Sequence, residues 1–407
     1  MKILFITDNF PPEVNAPATR TYEHVKAWIE EGADVTVVTC APNFPHGRVY
    51  DGYKNKLFQT EDMDGIKVIR VWSYITSNSG FLKRVLDYVS FAFSAFWVGL
   101  FHKHDLIIAT SPQFFTTWSA WALSKIKRTP WVFELRDLWP ESIKTVGAMQ
   151  QGKAIEILEK IEIALYKDAD RVVAVTDAFK ANLISRNIDA TKIDVVTNGS
   201  NVELFFPREK DEKLLKELSL EGKFVVGYIG THGLAHSLDF IVNTLKNLGD
   251  NEIHFLFIGD GAMKPTIVKI AQELKLSNIT FLDPISKDEV PKYLSIVDIS
   301  LAPLKKEDNF KTVIPSKIFE ASAMRKPTLL GVEGQAQEIL ESHEAGLCFE
   351  PENEKDFITK LKQLKSDTAL YKRCQDGCDA LAIEYDRKKL AHKMYYILQG
   401  VVYPKKR

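Results

Sequence analysis

The chain has 407 residues, of which 45% are hydrophobic and 26% are charged, as in an ordinary globular protein. This length exceeds what one hydrophobic core normally serves, so we expect two domains. The 53 lysines and arginines nearly cancel the 54 aspartates and glutamates, which argues against a nucleic-acid-binding protein with a basic surface.

The cysteines and the first residues indicate a cytoplasmic protein. The four cysteines are scattered, and only Cys374 and Cys378 stand close together, with no histidine cluster beside them. This pattern favours reduced thiols over a zinc site or a disulfide framework. The segment 1–8 reads as a buried strand and lacks the long apolar core of a signal peptide.

Short apolar runs alternate with helical patterns along the chain. Strands are predicted at 2–7, 34–39, 67–72, 105–110, 131–135, 171–176 and 192–199, and again at 223–230, 253–261, 278–284, 297–304, 326–331 and 346–351. Helices are predicted near 19–31, 114–127 and 151–167. Because the strands are rich in Val and Ile without polar alternation, we expect parallel sheets covered by helices.

A charged, proline-containing stretch at 201–222 interrupts this alternation. The sequence therefore predicts two Rossmann-like α/β domains, one over residues 1–200 and the other over 201–385. A last helix, at about 386–407, is expected to pack back on the N-terminal domain. Ligands bind at the carboxyl ends of strands in such sheets, so we expect an active site in a cleft between the domains.

The segment 88–101 is apolar nearly all round and follows Lys83 and Arg84. It is shorter than the roughly 20 residues that a membrane-spanning helix needs. The favoured interpretation is a helix packed inside the N-terminal domain. The alternative is a helix partly open to a bilayer or a lipid acceptor, with the basic residues near phosphate headgroups.

The most informative motif begins at Ser316 and follows a proline. A helix starting here would point free backbone N–H groups at a ligand. Lys317 is unfavourable in a first helical turn, which favours a contact between its ammonium and a diphosphate. Glu320, one turn further, could accept hydrogen bonds from both hydroxyls of a ribose. The alternative is a surface helix with an incidental lysine and glutamate.

Three further segments of the second domain follow predicted strands. Gly230, Thr231, His232 and Gly233 form a loop whose backbone amides could approach a pyrophosphate, although its spacing is not the dinucleotide-binding fingerprint. Gly259 belongs to a Gly-Asp-Gly turn that is either a plain connection or part of the same site. Pro284 and Ile285 offer exposed backbone that could pair with the edge of a nucleobase.

In the first domain, Arg136, Asp137 and Glu141 follow the strand at 131–135. Asp137 or Glu141 could orient or deprotonate an acceptor hydroxyl, and Arg136 could fix their geometry or contact a phosphate. The alternative is an internal Arg–Asp pair that holds a loop. The loops at 9–20 and 42–48 suit acceptor recognition.

Asp168 and Asp170 have the spacing of a metal-binding Asp-X-Asp motif, but they precede a strand. They would therefore lie at the amino edge of the sheet, away from the cleft. We interpret them as structural and predict no required metal.

These motifs together resemble the family-four retaining glycosyltransferases, which have the GT-B fold. The resemblance covers essentially the whole chain and rests on the segments 11–20, 169–176, 198–207, 259–261, 297–304, 315–327 and 346–351. The segments 42–53, 136–142 and 230–238 resemble one branch, the N-acetylated amino-sugar transferases of bacterial O-antigen and capsule synthesis, such as L-fucosamine transferases.

The resemblance implies a UDP-sugar donor, held mainly by the C-terminal domain, with an N-acetylated amino sugar such as L-FucNAc. The sugar would pass, with retained anomeric configuration, to a lipid-pyrophosphate-linked saccharide at the inner face of the cell membrane. No cofactor or metal would be required, and contact with the membrane would be peripheral. Lys317 and the loop 230–233 would bind the diphosphate, Glu320 the ribose, and Asp137 would lie near the reacting centre.

The chain departs from the family in two places. The family often has two glutamates eight positions apart, and Thr312 stands where the first would be. The usual Arg and Lys of the donor loop are also missing, with Thr231 and His236 in that region. Two alternatives therefore stay open: a nucleotide-sugar 2-epimerase of similar fold, and a non-catalytic nucleotide-sugar-binding protein.

Overall fold

A computed structural model of the chain describes residues 1–44, 46–76, 81–111, 113–139 and 152–404. The chain divides into two compact units. Unit 1 comprises Met1–Thr197 and the chain from Lys388 onward, and unit 2 comprises Asn198–Arg387.

The sheet of unit 1 has eight strands in the described part of the chain, in the order β3-β4-β2-β1-β5-β6-β7-β8. They are β1 (Lys2–Ile6), β2 (Asp34–Cys40), β3 (Phe58–Met63), β4 (Ile66–Val71), β5 (Leu106–Thr110), β6 (Trp131–Leu135), β7 (Arg171–Ala174) and β8 (Ile193–Val195). All neighbouring strands are parallel except β3 and β4. The strand order reverses between β1 and β5, which is where doubly wound sheets open a crevice for ligands.

The strand β3 was missed by the sequence analysis because its residues alternate between exposed and half-buried positions at the edge of the sheet. It joins β4 through Asp64 and Gly65, which both have positive φ angles of 52° and 83°. Two such residues form the tight turn that suits the twist of a β-hairpin. The antiparallel edge strand is therefore a local hairpin added to a parallel sheet.

The helices of unit 1 cover both faces of its sheet. They are Ala16–Glu30, Phe81–Phe101, Phe114–Lys127, Lys153–Asp168, Asp177–Ser185 and, at the other end of the chain, Arg387–Val402. The first begins after Asn15, whose side chain accepts a hydrogen bond from the Ala18 N–H. The last helix belongs to unit 1, where Trp28 Nε1 donates to the Ala391 carbonyl over 2.8 Å.

The helix Phe81–Phe101 starts seven residues before the apolar segment predicted from the sequence. Phe91, Ala92 and Ala95 are buried in the core, whereas Phe93, Trp97 and other apolar side chains are exposed. Among the described residues, one helix, over Lys83–Phe101, is long and apolar enough to cross a membrane by length and composition.

The sheet of unit 2 has six parallel strands in the order β11-β10-β9-β12-β13-β14. They are β9 (Phe224–Ile229), β10 (Ile253–Ile258), β11 (Ile279–Leu282), β12 (Ile299–Pro303), β13 (Thr328–Gly331) and β14 (Gly346–Cys348). The chain builds β10 and β11 on one side of β9, then β12 to β14 on the other. The point of reversal, where a ligand is expected, therefore lies between β9 and β12.

The helices of unit 2 are Glu212–Glu217, Leu238–Thr244, Lys264–Glu273, Val290–Ile296, Lys317–Ala323, Gln335–Ser342, Glu354–Ser366 and Thr368–Glu384. The first of them lies inside the stretch 201–222, which the sequence analysis treated as a connection. Buried side chains such as Tyr228, Phe255 and Phe257 form the core between these helices and the sheet. Both units are thus Rossmann-like α/β domains, and this prediction is confirmed.

Candidate functional site

The carboxyl end of β9 brings Gly230 against Lys317. Gly230 has a φ angle of 143°, and a Cβ atom placed on it would lie 2.7 Å from Lys317 Nζ. Its N–H donates to the Ile258 carbonyl over 2.8 Å, which continues the pairing of β9 with β10. Because glycine leaves this space free, the lysine ammonium lies directly over the end of the strand.

Gly259 and Gly261 support the loop that follows Gly230. A Cβ atom on Gly259 would lie 1.9 Å from the Gly230 carbonyl oxygen, and one on Gly261 would lie 2.5 Å from the His232 carbonyl oxygen. The His232 N–H donates to the Asp260 carbonyl over 2.8 Å. Of the two interpretations of Gly259, the contacts favour a packing role, because the residue lies against the loop's backbone.

Lys317 opens a helix of seven residues, and Ser316 before it makes no capping hydrogen bond through its side chain. The Lys317 ammonium lies 4.6 Å from the centroid of the Tyr228 ring. Burial lowers the pKa of Lys317 to about 8; Glu320 opposes this effect and Lys287 adds to it. Near neutral pH the site therefore holds a poorly hydrated cation, which an anionic ligand would stabilise.

The two histidines of the loop contribute no charge near neutral pH. Burial lowers the pKa of His232 to about 4, with Lys264 adding to the effect, and burial and Lys317 do the same for His236. Both ring nitrogens of His232 are buried without a hydrogen-bond partner in the described structure. Of Lys317 and these two histidines, only Lys317 therefore carries a positive charge at neutral pH.

A cavity of about 160 Å³ opens beside Lys317, at the reversal point between β9 and β12. Its lining consists of Tyr228, His236, Ala302, Pro303, Leu304, Val313, Pro315, Ser316 and Lys317. The lining thus combines polar groups with apolar side chains. A cavity of this kind suits a small ligand with a charged group at one end.

Glu320 lies on the same helix as Lys317 but does not line this cavity. Its carboxylate is paired with the ammonium of Lys287, which also lies 4.8 Å from the centroid of the Phe205 ring. The sequence analysis did not single out Lys287. The sequence feature that could have identified Lys287 is its position in the loop after β11, two residues beyond Ile285.

The remaining predicted residues of unit 2 lie around this centre. Thr231 is exposed, and its carbonyl accepts a 2.6 Å hydrogen bond from the Tyr228 hydroxyl. Gly233 precedes a short turn, and a Cβ atom added to it would lie 3.2 Å from His236 Nδ1. Pro284 is exposed, while Ile285 packs in one cluster with Ile229, next to the loop.

Thr312, which stands at the position of the family's first glutamate, does not line the cavity. It ends a short 3₁₀ turn, and its hydroxyl donates to the Asn309 carbonyl over 3.0 Å. The neighbouring Val313 lines the cavity instead. This face of the cavity is consequently apolar.

In unit 1, Arg136 and Asp137 lie at the carboxyl end of β6. The Ser111 hydroxyl accepts hydrogen bonds from both of their backbone N–H groups, at 2.8 and 3.3 Å. The Arg136 guanidinium donates to the Pro17 carbonyl over 3.3 Å, in the predicted acceptor loop. Glu141 lies outside the described residues.

Two features of the same sheet edge were missed by the sequence analysis. Asp8 follows β1, and burial together with Glu13 raises its pKa to about 8. Arg20 and Glu134 form a buried ion pair of 2.9 Å. The sequence signals were a carboxylate after a strand and charged residues inside apolar runs. Such signals do not reveal that Arg20 pairs with Glu134, 114 positions away.

Asp168 and Asp170 have structural roles. They accept hydrogen bonds from the side-chain and backbone nitrogens of Trp131, at 3.0 and 2.9 Å, and Asp168 also pairs with Lys125. Within the described ranges, no three histidine, cysteine, aspartate or glutamate side chains are grouped so that they could hold a metal ion.

Comparison with known proteins identifies both halves of the chain. Residues 15–199 match the glycosyl transferase 4-like domain, and residues 209–377 match the glycosyl transferases group 1 family. Over 375 residues the chain is 24% identical to the Escherichia coli (strain K12) glycosyl transferase WcaI, named for colanic acid biosynthesis. The match covers 89% of this chain and 92% of that protein.

Solved structures show the same fold. The sucrose-phosphate synthase of Thermosynechococcus elongatus superposes with a TM-score of 0.80 and 17% identity, over 99% of this chain and 100% of that one. Anabaena HepE, in complex with UDP-glucose, gives a TM-score of 0.74 and 17% identity, over 98% and 100% of the two chains. The predicted GT-B fold is therefore confirmed. The chain combines a glycosyl transferase 4-like domain with a glycosyl transferases group 1 domain, and it is a glycosyltransferase.

Proposed function

We propose that this glycosyltransferase moves an N-acetylated amino sugar, such as L-FucNAc, from a UDP-sugar to a lipid-linked saccharide in bacterial O-antigen or capsule synthesis. The observation that carries the proposal is the position of the Lys317 ammonium, over Gly230 and beside the cavity between β9 and β12. The name of WcaI and the UDP-glucose bound to HepE support a polysaccharide enzyme that uses a nucleotide sugar.

The diphosphate of the donor would lie against Lys317 and the backbone of the loop 230–233. The N–H groups of Gly230 and His232 already donate to the carbonyls of Ile258 and Asp260, so the backbone donors of the loop would be those of Thr231 and Gly233. These N–H groups and the desolvated Lys317 ammonium would form charge-assisted hydrogen bonds of roughly 1.5–3 kcal/mol each with the diphosphate. Glu320 would accept hydrogen bonds from the ribose after exchanging its partner Lys287 for the ribose hydroxyls. The exposed backbone at Pro284 and Ile285 would contact the uracil.

The cavity supports an amino sugar with apolar substituents. Leu304, Val313 and Pro303 are among its lining residues. A methyl group, either of an N-acetyl substituent or at C6 of a deoxysugar, would bury its surface there at a gain of about 25 cal/mol per Å².

The reaction would follow a retaining course. The bond between the sugar and the diphosphate breaks through an oxocarbenium-like transition state, and Lys317 stabilises the charge that develops on the leaving diphosphate. The acceptor hydroxyl attacks the anomeric carbon from the face that the diphosphate leaves. Its proton passes to the departing phosphate, so neither a strong enzyme base nor a metal ion is required in this proposal.

Unit 1 would bind the acceptor. Arg136 and Asp137 lie at the carboxyl edge of its sheet, and Glu141 follows them in sequence. These side chains would orient the acceptor hydroxyl. A lipid-pyrophosphate anchor would keep the acceptor in the membrane, so the enzyme would act at the cytoplasmic face with peripheral contact through unit 1.

The donor is identified by a thermal-shift screen of the full chain against nucleotides and nucleotide sugars. A ligand that binds only the folded state at a hundred times its Kd adds about 2.7 kcal/mol of stability. We expect UDP-N-acetylamino sugars to raise the Tm most and Lys317→Ala to reduce that rise. A best ligand without a diphosphate, or an unchanged shift in the variant, would contradict the proposal.

Transfer is then measured with the best donor, in the presence and absence of a lipid-pyrophosphate-linked saccharide. We expect the donor to be consumed only when the acceptor is present, without added metal and with EDTA in the buffer. Conversion of the donor to an epimer without acceptor would identify an epimerase. Binding without turnover across acceptors would identify a nucleotide-sugar-binding protein.

A further inference from the structure

The helix Phe81–Phe101 presents an apolar face to the surface of unit 1. Its exposed apolar residues recur at intervals of three and four: Leu86, Val89, Phe93, Trp97 and Phe101. Side chains at this spacing share one face of a helix, which here extends over about 22 Å. Phe93 and Phe101 are 63% and 81% exposed, although the outer face of a surface helix is normally polar.

The opposite face of this helix fixes it to the sheet. Phe91, Ala92 and Ala95 are buried in the main core of unit 1. Gly99 packs so closely on the helix Phe114–Lys127 that a Cβ atom there would lie 2.4 Å from a methyl carbon of Leu123. The helix therefore cannot leave unit 1 to cross a bilayer without opening this core, and any membrane contact must leave the helix in place.

At the carboxyl end of the helix, one lysine already pairs with several backbone carbonyls. The ammonium of Lys127 donates to the carbonyls of Gly99, Leu100 and His102, at 3.4, 2.9 and 2.5 Å. Free carbonyls at a helix end disfavour an apolar environment, because each loses hydrogen bonds to water there. With these groups paired, the end near Phe101 can approach lipid at little cost.

Basic residues stand at both ends of the apolar face. Lys83 and Lys103 are exposed, and Arg84 is half-buried. Within the face, the polar Ser90 donates its hydroxyl to the Asp87 carbonyl and accepts a 2.7 Å bond from the Tyr74 N–H. An apolar band between cations is complementary to the surface of an anionic bilayer, where acyl chains lie beneath phosphate groups.

We infer that the face Leu86–Val89–Phe93–Trp97–Phe101 docks on an anionic lipid bilayer, with the helix lying in the plane of the interface. The aromatic side chains would enter the boundary between headgroups and acyl chains, about 5–10 Å deep, and Lys83, Arg84 and Lys103 would contact lipid phosphates. The inference specifies the surface behind the peripheral contact in the proposed function. The biological reason for such docking rests on the proposed function. The docking itself does not, since the surface belongs to unit 1 alone.

Co-flotation of the full chain with vesicles tests the inference without donor or acceptor. We expect binding to phosphatidylcholine vesicles that contain phosphatidylglycerol, and weaker binding to phosphatidylcholine alone or in high salt. The double variant Phe93→Glu/Trp97→Glu should bind about tenfold or more weakly, because two aromatic anchors are lost. The matched control is Ile383→Glu/Tyr396→Glu, which changes two residues that are 69% and 66% exposed on other helices.

Three results would overturn the inference: no vesicle binding by the wild-type chain, equal loss in the control, or a dimer that the Phe93/Trp97 variant dissociates. The last result would identify a second copy of the chain as the occupant of this face. Quenching of Trp97 fluorescence by brominated lipids, taken as the difference between the wild type and Trp97→Phe, should place the indole at the headgroup boundary. Donor binding, measured separately, should be unchanged in Phe93→Glu/Trp97→Glu, so the failure of either proposal is recognised independently.

Discussion

The Lys317 ammonium lies over the Tyr228 ring, 4.6 Å from its centroid, and the space above Gly230 is just large enough to admit it. Tyr228 is buried at the end of β9, so the ring offers the cation a face with negative charge while water is largely excluded. A cation held this way is placed before a ligand arrives. Removing or displacing it should therefore affect chemistry more than folding.

We expect Lys317→Ala to lower kcat by about a hundredfold and to weaken UDP binding by less. The lost ammonium acts mainly on charge that develops on the leaving diphosphate, and such interactions are realised in the transition state. Steady-state kinetics and calorimetric titration with UDP separate the two effects. Lys269→Ala, at an exposed lysine on another helix, is the matched control. Loss confined to UDP affinity, with kcat retained, would contradict the catalytic role.

The affinity for UDP should decrease as the pH rises above about 8. Burial lowers the pKa of Lys317 to about 8, so the ammonium is present below this pH and is lost above it. A bound diphosphate raises the pKa of the ammonium, so the affinity should begin to fall at the pKa of the free enzyme and level off above the higher pKa of the complex. Titrations from pH 6.5 to 9.5 measure this. A Lys317→Ala variant that keeps the same pH dependence would show that another group is responsible.

Titrations of UDP binding between pH 5.5 and 7.5 should show no step from the loop histidines. The pKa values of His232 and His236 are lowered to about 4, mainly by burial, so both rings are neutral throughout this range. Histidine signals in NMR spectra of the ligand-free chain would report their protonation directly. A His232 or His236 signal that titrates near pH 6.5 would contradict the buried, neutral pair.

We expect Gly230→Ala to weaken donor binding more than Lys317→Ala does. The added methyl group would lie 2.7 Å from Lys317 Nζ, at a φ angle of 143° that L-residues rarely adopt, so it both displaces the lysine and strains the loop. Gly249→Ala is the control for backbone strain, because Gly249 has a positive φ of 64° but open space around its Cβ position. The rise in Tm caused by UDP is measured for both variants and compared. Donor binding lost equally in both variants would show that strain, not the lysine, is the cause.

The sequence predicted the second unit well because its signals are local. Strand, turn and helix start follow one another within a few residues at Gly230 and again at Ser316. Parallel strands place such segments at one edge of a sheet. Gly259 shows the limit of this reasoning: glycine is required there by the packing of one loop on another, which spacing along the chain does not reveal.

Pairs formed between distant segments were not predictable. Lys287 pairs with Glu320 across 33 positions, and Arg20 pairs with Glu134 across 114. A single charged residue in a loop or an apolar run carries no information about its partner. For the apolar segment 88–101 the sequence analysis favoured a helix packed inside the domain and kept one open to lipid as the alternative, because hydrophobicity along a sequence does not tell which face a neighbouring element covers.

The ribose assignment of Glu320 is tested by comparing UDP with 2′-deoxy-UDP. If the carboxylate accepts hydrogen bonds from the ribose, the wild type should favour UDP by about tenfold, since hydrogen bonds to a charged group contribute about 1.5–3 kcal/mol. Glu320→Gln should reduce this preference. The substitution in the protein and the removal of the 2′-hydroxyl from the ligand together form a thermodynamic cycle. Glu338→Gln, in the first turn of another helix, is the control. An undiminished preference in Glu320→Gln would place the ribose elsewhere.

Breaking the ion pair of Arg20 and Glu134 should destabilise unit 1 strongly. Both side chains are almost fully buried, and Arg20 also donates to the carbonyls of Thr197 and Val196, at 2.6 and 2.9 Å. Arg20→Ala would leave a buried carboxylate without its charge partner, which costs about 3–5 kcal/mol. Arg171→Ala breaks an exposed pair with Asp194 and should cost less than about 1 kcal/mol. Urea denaturation of the two variants gives the comparison.

The pH dependence of the stability of the Arg20→Ala variant is a second, independent test of this ion pair. In the wild type, burial alone would raise the pKa of Glu134, but the charges of Arg20 and Arg136 outweigh it and lower the pKa. This group therefore stabilises the wild type above its unfolded pKa, and the contribution is lost as the pH falls. Without Arg20, burial should raise the pKa, so that acidification from pH 7 toward 5 narrows the gap in stability between variant and wild type. A gap that widens on acidification would show that Glu134 is not the group left uncompensated.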